Sequence, residues 1–132
     1  MTLVDSNVLI DVLSISPDWF DWSMEQLGHR SGLGPLFFNE IIYAELAVKS
    51  QSEVELDLAL ADLDLRLNPI PKAALFLAGK TFGDYKRRGG TRLSALPDFF
   101  IGAHAQVTGL PLLTRDVGRY RTYFPKVTLI AP

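Results

Sequence analysis

The chain has 132 residues, of which 48% are apolar and 21% charged, with no cysteine and a net charge of −2. This length corresponds to one folded domain over residues 1–132, and the apolar content excludes intrinsic disorder. The absence of cysteine excludes a disulfide scaffold, a thiolate metal site and a cysteine nucleophile.

Short apolar runs and turn residues divide the chain into alternating strands and helices. In chain order we predict a strand at Thr2–Asp5, a helix after Asp5-Ser6-Asn7 through Leu13, a helix from near Pro17 to about Gly28, a strand at Leu36–Phe38, a helix capped by Asn39, a helix beginning at Ser52, a strand at Leu65–Leu67, a helix from Pro71 towards Arg87, a helix from Pro97 to Thr108, and strands at Leu110–Thr114 and Val127–Ile130. The strands are almost continuously apolar, as burial on both faces of a parallel sheet requires. The sequence therefore predicts a three-layer α/β/α fold with a central, mainly parallel sheet of four to five strands.

The N-terminal segment lacks the features of a secretory signal. It has no basic region, and Asp5 and Asp11 interrupt its apolar residues. No apolar run approaches the roughly 20 residues that span a bilayer. We therefore expect a cytoplasmic protein without a membrane partner.

Charge is distributed very unevenly along the chain. Residues 1–65 carry two basic and twelve acidic side chains, a charge of −10, whereas residues 66–132 carry eleven basic and three acidic ones, a charge of +8. Seven of these eleven basic side chains form two groups, Lys86, Arg87, Arg88 and Arg92, and Arg115, Arg119 and Arg121. Such groups either bind phosphates or form solvated faces, and charge alone does not decide between the two.

Acidic residues fall where ligands of open parallel sheets collect, at the carboxyl ends of strands. Asp5 ends the first strand and Asp116 follows the fourth, while Asp98 begins a helix and Glu45 lies within one. Oxygen ligands without Cys or a His pair suit a hard ion, Mg²⁺ or Mn²⁺. Taken singly, the same residues also fit helix caps, a turn former and a solvated helix residue.

Each of the four acids lies in a distinctive segment. The segments are Val4-Asp5-Ser6-Asn7-Val8-Leu9-Ile10, Tyr43-Ala44-Glu45-Leu46, Leu96-Pro97-Asp98-Phe99-Phe100-Ile101-Gly102-Ala103-His104-Ala105 and Gly109-Leu110-Pro111-Leu112-Leu113-Thr114-Arg115-Asp116. Together they resemble PIN domains, and most closely the VapC ribonuclease toxins of prokaryotic toxin–antitoxin pairs. The resemblance covers essentially the whole chain, with the segments in the family's order. It implies a PIN-like fold and a metal-dependent endoribonuclease.

The resemblance also assigns residues and partners. The four family acids correspond to Asp5, Glu45, Asp98 and Asp116, which would bind Mg²⁺ or Mn²⁺ and carry out catalysis. Asn7 and Thr114 match the family's supporting polar groups. Family members usually form dimers and are held inactive by a VapB-like antitoxin. A homodimer, a cognate antitoxin and an RNA substrate are therefore expected.

An RNA substrate gives the basic groups a role, as phosphate ligands beside the acids. Tyr120, Tyr123 and Phe124 are interleaved with Arg119 and Arg121, as on a base-stacking surface. Core packing is the alternative for Tyr123 and Phe124, and we favour it for Phe124; the role of Tyr120 stays open. His104 lies in an apolar helix and is expected to be packed or hydrogen-bonded.

Three other functions stay open at this point. The first is a PIN nuclease that matures RNA, and the second is a non-catalytic module that binds an antitoxin or RNA. The third is a phosphatase with Asp5 as its nucleophile, but such enzymes carry a second acid where this chain has Asn7.

Overall fold

Five short strands and seven helices alternate in this computed structural model, which describes all 132 residues. The strands are β1 (Thr2–Val4), β2 (Leu36–Phe38), β3 (Leu65–Leu67), β4 (Leu112–Leu113) and β5 (Leu129–Ile130). The helices are α1 (Ser6–Leu13), α2 (Phe20–Leu33), α3 (Glu40–Ala47), α4 (Glu53–Asp62), α5 (Lys72–Arg87), α6 (Leu96–Thr108) and α7 (Gly118–Tyr123). A short 3-10 turn at Leu93–Ala95 leads directly into α6.

The strands form one sheet in the order β3-β2-β1-β4-β5, and all four neighbouring pairs are parallel. In the register of the central strand, Leu3 lies opposite Leu112 of β4 and Phe37 of β2. The carboxyl ends of all strands therefore meet at one edge, with β1 in the middle. This arrangement confirms the predicted α/β fold with a parallel sheet.

Local signals in the sequence set several helix ends as predicted. The Asn39 side chain accepts a hydrogen bond of 2.9 Å from the backbone N–H of Ile42 and so caps α3. Gly109 ends α6 in the left-handed conformation, with φ of 71°, which glycine adopts without steric penalty. Both residues turn the chain between the helical layers and the sheet.

Two features of the helices differ from the prediction. Helix α2 runs to Leu33 and does not end near Gly28, because a glycine in a helix lowers its stability without having to end it. Helix α7 was not predicted, since it is a single short segment without a periodic apolar pattern. It is held by Tyr120, which is 1% exposed.

The core lies on both sides of the sheet and includes several side chains of α6. Phe99 and Ile101 are fully buried, and Phe124 packs against Phe99 with ring centroids 6.0 Å apart. His104 is also buried, and its ring nitrogens contact Asn39 at 3.0 Å and Asn68 at 2.9 Å. The expectations of a core Phe124 and a hydrogen-bonded His104 are thus confirmed.

None of the helices has the length and apolar composition needed to cross a membrane.

Candidate active site

Asp5 occupies the centre of the carboxyl edge of the sheet. It directly follows β1 and caps α1, accepting a hydrogen bond of 2.8 Å from the backbone N–H of Ser6. Only 3% of Asp5 is exposed. A carboxylate in this position is held rigidly by the end of a strand and the first turn of a helix.

Two hydroxyl groups from the second half of the chain converge on one oxygen of Asp5. Thr114 donates to Oδ2 at 2.8 Å, and Tyr120 donates to the same atom at 2.9 Å. Burial raises the pKa of Asp5 to about 6, and the charge of Asp98 adds to this, although both hydroxyl groups favour the ionised form. Asp5 is therefore a poorly solvated acid whose ionised form would be stabilised by a nearby positive charge.

Thr114 connects Asp5 to Asn7 and Asp116. Its hydroxyl oxygen accepts hydrogen bonds from Asn7 Nδ2 at 3.2 Å and from the backbone N–H of Asp116 at 3.1 Å. Asn7 Oδ1 in turn accepts from the backbone N–H of Arg115 at 3.1 Å. These contacts fix the loop after β4 against the first turn of α1, and so set where Asp116 lies.

Glu45 reaches the same edge from α3. Its Oε1 accepts a hydrogen bond of 3.0 Å from the hydroxyl of Ser6, the residue next to Asp5. Burial raises the pKa of Glu45, the hydrogen bond from Ser6 opposes this shift, and the charge of Asp98 adds to it. The two acids predicted from the first half of the chain are thus linked through one serine.

Asp98 lies in the first turn of α6 and forms an ion pair with Arg119 of α7, at 2.6 Å between Oδ2 and Nη1. Burial raises the pKa of Asp98, Arg119 opposes this shift, and the charge of Asp116 adds to it. Asp98 thus influences Asp5 and Glu45 electrostatically, and is itself influenced by Asp116.

The structure therefore brings all four predicted acids to one edge of the sheet. No three of its acidic and histidine side chains, however, lie close enough together to form a ready ligand set for a metal ion. The acids interact instead through Ser6, Thr114 and Arg119, and through their charges. The site is an acidic, partly buried cluster of oxygen atoms.

The predicted phosphate ligands do not share one environment. Arg115 points away from the acid cluster and forms two hydrogen bonds, of 2.6 and 2.9 Å, with the buried Asp11. Its guanidinium also lies over the Trp19 ring at 4.8 Å. Arg115 thus ties the loop after β4 to α1, and its guanidinium is already paired.

The other basic residues lie near the surface. Arg87 pairs with Asp84 on the same helix, and Arg88 lies over the Tyr123 ring at 5.6 Å. Three more basic side chains are exposed, namely Lys86, Arg92 and Arg121. Arg119 differs from all of them because it contacts one of the four acids.

A surface cleft opens beside Asp116. Its volume is about 370 Å³, and its lining includes Tyr85, Arg119 and Tyr123. The Arg119 guanidinium lies over the Tyr85 ring at 5.6 Å. The cleft thus combines an acid, a guanidinium and two aromatic rings, which suits a nucleotide chain passing the acids.

Two residues of the site were not predicted in these roles. Tyr120, a candidate for base stacking, is buried and donates a hydrogen bond to Asp5. Ser6, to which the sequence pattern assigns no contact, begins α1 and donates a hydrogen bond from its hydroxyl to Glu45. The only signal in the sequence is that Tyr120 lies close to Asp116 along the chain and Ser6 lies next to Asp5. Such closeness places a residue near the site but does not show where its side chain points.

Comparisons with known proteins agree with this fold. A family model described as the PIN domain matches residues 2–125. A search of curated protein sequences returned no significant match.

Several solved structures share the fold. VapBC2 from Rickettsia felis, bound to a DNA fragment from its promoter, aligns with a TM-score of 0.71 and 18% identity over 99% of this chain and 98% of that one. DNA-bound VapBC from Salmonella typhimurium aligns with a TM-score of 0.70 and 19% identity, over 99% and 98%. A toxin–antitoxin complex from Klebsiella pneumoniae aligns with a TM-score of 0.66 and 22% identity, over 97% and 96%. At these identities the likeness establishes the fold.

Proposed function

The chain belongs to the PIN domain family, and from this premise we propose that it is a metal-dependent endoribonuclease, the toxin of a VapBC-type toxin–antitoxin pair. The observation that carries the proposal is the convergence of Asp5, Glu45, Asp98 and Asp116 on one edge of the sheet, beside a cleft that holds Arg119 and aromatic rings. PIN domains are nucleases, and this chain keeps an acid at every position of the family motif.

The donor atoms of the four acids suit a hard divalent ion, Mg²⁺ or Mn²⁺, although the acids are not preassembled as its ligand set. They offer only oxygen donors, which such ions prefer. The pKa values of Asp5, Glu45 and Asp98 are raised by burial and by a neighbouring acid, so a bound cation would relieve an unfavourable charge at each. We propose Asp5, Asp98 and Asp116 as its ligands, with Glu45 completing the site or acting on water. When bound, the ion supplies positive charge that stabilises the phosphoryl oxygens of the transition state.

The side chains have separate tasks in phosphodiester hydrolysis. Glu45 either completes the metal site or orients the attacking water and accepts its proton, and the second task suits a half-buried carboxylate with a raised pKa. Thr114 and Asn7 hold Asp5 and the Asp116 loop in place. Arg119 and the exposed arginines bind RNA phosphates on either side of the scissile bond. No step requires a covalent intermediate on a side chain.

The toxin assignment and the partners rest on the comparisons. The structural neighbours from Rickettsia felis, Salmonella typhimurium and Klebsiella pneumoniae were solved as toxin–antitoxin complexes, and the chain spans nearly their full length. We accordingly propose a VapB-like antitoxin as partner. The homodimer and the cytoplasmic location are proposals that rest on the sequence alone. A PIN nuclease that matures RNA has the same active-site chemistry, and the RNA substrate distinguishes the two.

The decisive experiment is RNA cleavage by purified wild-type protein and by the Asp5→Asn and Asp98→Asn variants, with Mg²⁺ and with a chelator. We expect cleavage with Mg²⁺, loss of cleavage with chelator, and at least a hundredfold slower cleavage by both variants. Asp62→Asn, an exposed acid at the end of α4, is the matched control and should cleave like the wild type. Undiminished cleavage by both site variants would overturn the mechanism. Mapping the 5′ ends of cellular RNA after induced expression then identifies the target.

A further inference from the structure

Arg119 and Asp98 form the only ion pair of the structure that involves one of the four acids. Nη1 of Arg119 lies 2.6 Å from Oδ2 of Asp98, and each side chain is about a quarter exposed, 24% and 26%. Arg119 follows Asp116 by three residues and lines the cleft beside it. One guanidinium thus contacts Asp98 and lines the same cleft as Asp116.

We propose that Arg119 is an internal counter-ion, which competes with the divalent cation for Asp98 and contacts the RNA backbone once the cation has displaced it. The inference rests on the proposed function, because it concerns the same acids. It adds that metal affinity is set by a residue of this chain that is not a metal ligand.

The competition follows from charge. Asp98 is partly buried beside Asp116, and the guanidinium of Arg119 stabilises its ionised form. A cation that binds Asp98 must either share this carboxylate with Arg119 or displace it. Removing the positive charge of Arg119 leaves the acids less compensated, so a divalent ion should bind more tightly.

The surroundings of Arg119 permit the exchange. The guanidinium is partly exposed, so leaving Asp98 does not strand a buried charge. It also lies over the face of the Tyr85 ring at 5.6 Å, a contact that can keep it in the cleft after release. In that position it faces the space beside Asp116, where an RNA phosphate would pass the acids.

The test measures Mn²⁺ binding to the purified, RNA-free protein by calorimetry and by electron paramagnetic resonance. We expect Arg119→Gln to bind Mn²⁺ about threefold to tenfold more tightly than the wild type. Arg121→Gln removes the same charge from the same helix, at an exposed residue without an acidic partner, and should change the affinity much less. At saturating Mg²⁺, the KM of Arg119→Gln for an oligoribonucleotide should rise by about the same factor. A purely structural role would not change these two quantities in opposite senses.

The outcomes separate the inference from the proposed function. Equal or weaker Mn²⁺ binding by Arg119→Gln, with normal binding by the wild type, overturns the inference and leaves the metal site standing. Absence of Mn²⁺ binding in every variant overturns both. A measurement on the wild type needs no substitution: the ¹⁵N–¹H signal of Arg119 Nε should shift on Mg²⁺ addition, and an unchanged signal at saturation overturns displacement.

Discussion

Tyr120 and Thr114 donate hydrogen bonds to the same oxygen of Asp5, and Tyr120 does so from a position 115 residues further along the chain. Tyr120 is 1% exposed, so its hydroxyl has no access to bulk water. Burial and the neighbouring acids raise the pKa of Tyr120 well above its usual value, which keeps the phenol protonated and able to donate. The short helix α7 thus acts as a support for the central acid of the site.

We predict that Tyr120→Phe moves the acidic limb of the cleavage pH profile upward by about one pH unit. The lost hydrogen bond favours the ionised form of Asp5, so its removal raises the pKa of Asp5 further above about 6. A hydrogen bond to a charged group contributes about 1.5–3 kcal/mol, and one pKa unit corresponds to about 1.4 kcal/mol. The measurement is the cleavage rate at fixed Mg²⁺, taken in steps of about one pH unit from about pH 5 to about pH 9.

Tyr123→Phe is the control for this prediction. Tyr123 lies on the same helix and is partly buried, but its hydroxyl forms no hydrogen bond within the protein. Removal of the Tyr123 hydroxyl should leave the acidic limb of the cleavage pH profile at the same pH. Identical profiles for Tyr120→Phe and the wild type would show that Tyr120 does not support the ionised state of Asp5.

A second prediction concerns stability in the absence of metal. The pKa of Asp5 is raised from 3.8 to about 6 by folding, so between these values the folded protein binds more protons than the unfolded chain. The protonated Asp5 therefore contributes to the unfolding free energy below about pH 4, and this contribution is lost as the pH rises through about 6. Its size is at most about 3 kcal/mol. Glu45 and Asp98 shift in the same direction, whereas burial lowers the pKa of His104 and opposes the trend.

The contribution of Asp5 is isolated by comparing Asp5→Asn with the wild type. Urea unfolding with chelator at several pH values should show the variant gaining stability relative to the wild type between about pH 4 and pH 7. Asp62→Asn, at an exposed residue of α4, is the control variant in the same series. Parallel curves for Asp5→Asn and the wild type would contradict the raised pKa.

We further predict that Thr114→Val slows RNA cleavage by about tenfold to a hundredfold, as substitutions of groups that orient metal ligands commonly do. Valine keeps the shape of threonine but removes the hydroxyl that donates to Asp5 and accepts from Asn7 and Asp116. The unfolding free energy should fall by about 1–3 kcal/mol. Thr114→Ser keeps the hydroxyl and should restore most of the activity, whereas equally poor cleavage by both variants would assign the effect to packing.

The fold could largely be predicted because its signals are local. Asn39 caps a helix within three residues of itself, and Gly109 supplies a left-handed turn that other residues adopt less readily. The apolar runs identified all five strands, although β4 and β5 are shorter than predicted. Helix α7 was missed because its stability comes from one buried tyrosine and not from a pattern along the helix.

The acids of the site could be placed at the sheet edge, but their partners could not. A strand end and a helix start fix the positions of Asp5 and Asp98 to within a few residues. Which arginine contacts one of the four site acids depends on the direction in which the side chains after β4 point. Arg115 turns to Asp11 and Arg119 to Asp98, although both are close to Asp116 in sequence.

The last prediction concerns the contact between α6, which carries Asp98, and the residue that follows α7. A Cβ atom on Gly102 would overlap with Cδ2 of Phe124, which is almost fully buried and cannot move aside freely. Gly102→Ala should therefore destabilise the protein by about 1–3 kcal/mol, despite the better helix propensity of alanine. The measurement is urea unfolding at one pH. Gly79→Ala in α5 is the matched control, because its Cβ atom meets nothing within 4 Å, and it should stabilise by about 0.5–1 kcal/mol.

The clash can be tested by relieving it. Phe124→Leu removes part of the ring that Gly102 faces and should itself destabilise the protein by opening a cavity. In the double variant, Gly102→Ala should then be less harmful than in the wild type, with a coupling energy of about 1 kcal/mol or more. Strictly additive effects of the two substitutions would show that the alanine methyl group is accommodated without contact with Phe124. The stability lost in Gly102→Ala would then have to come from a change in the backbone of α6, the helix that also carries Asp98.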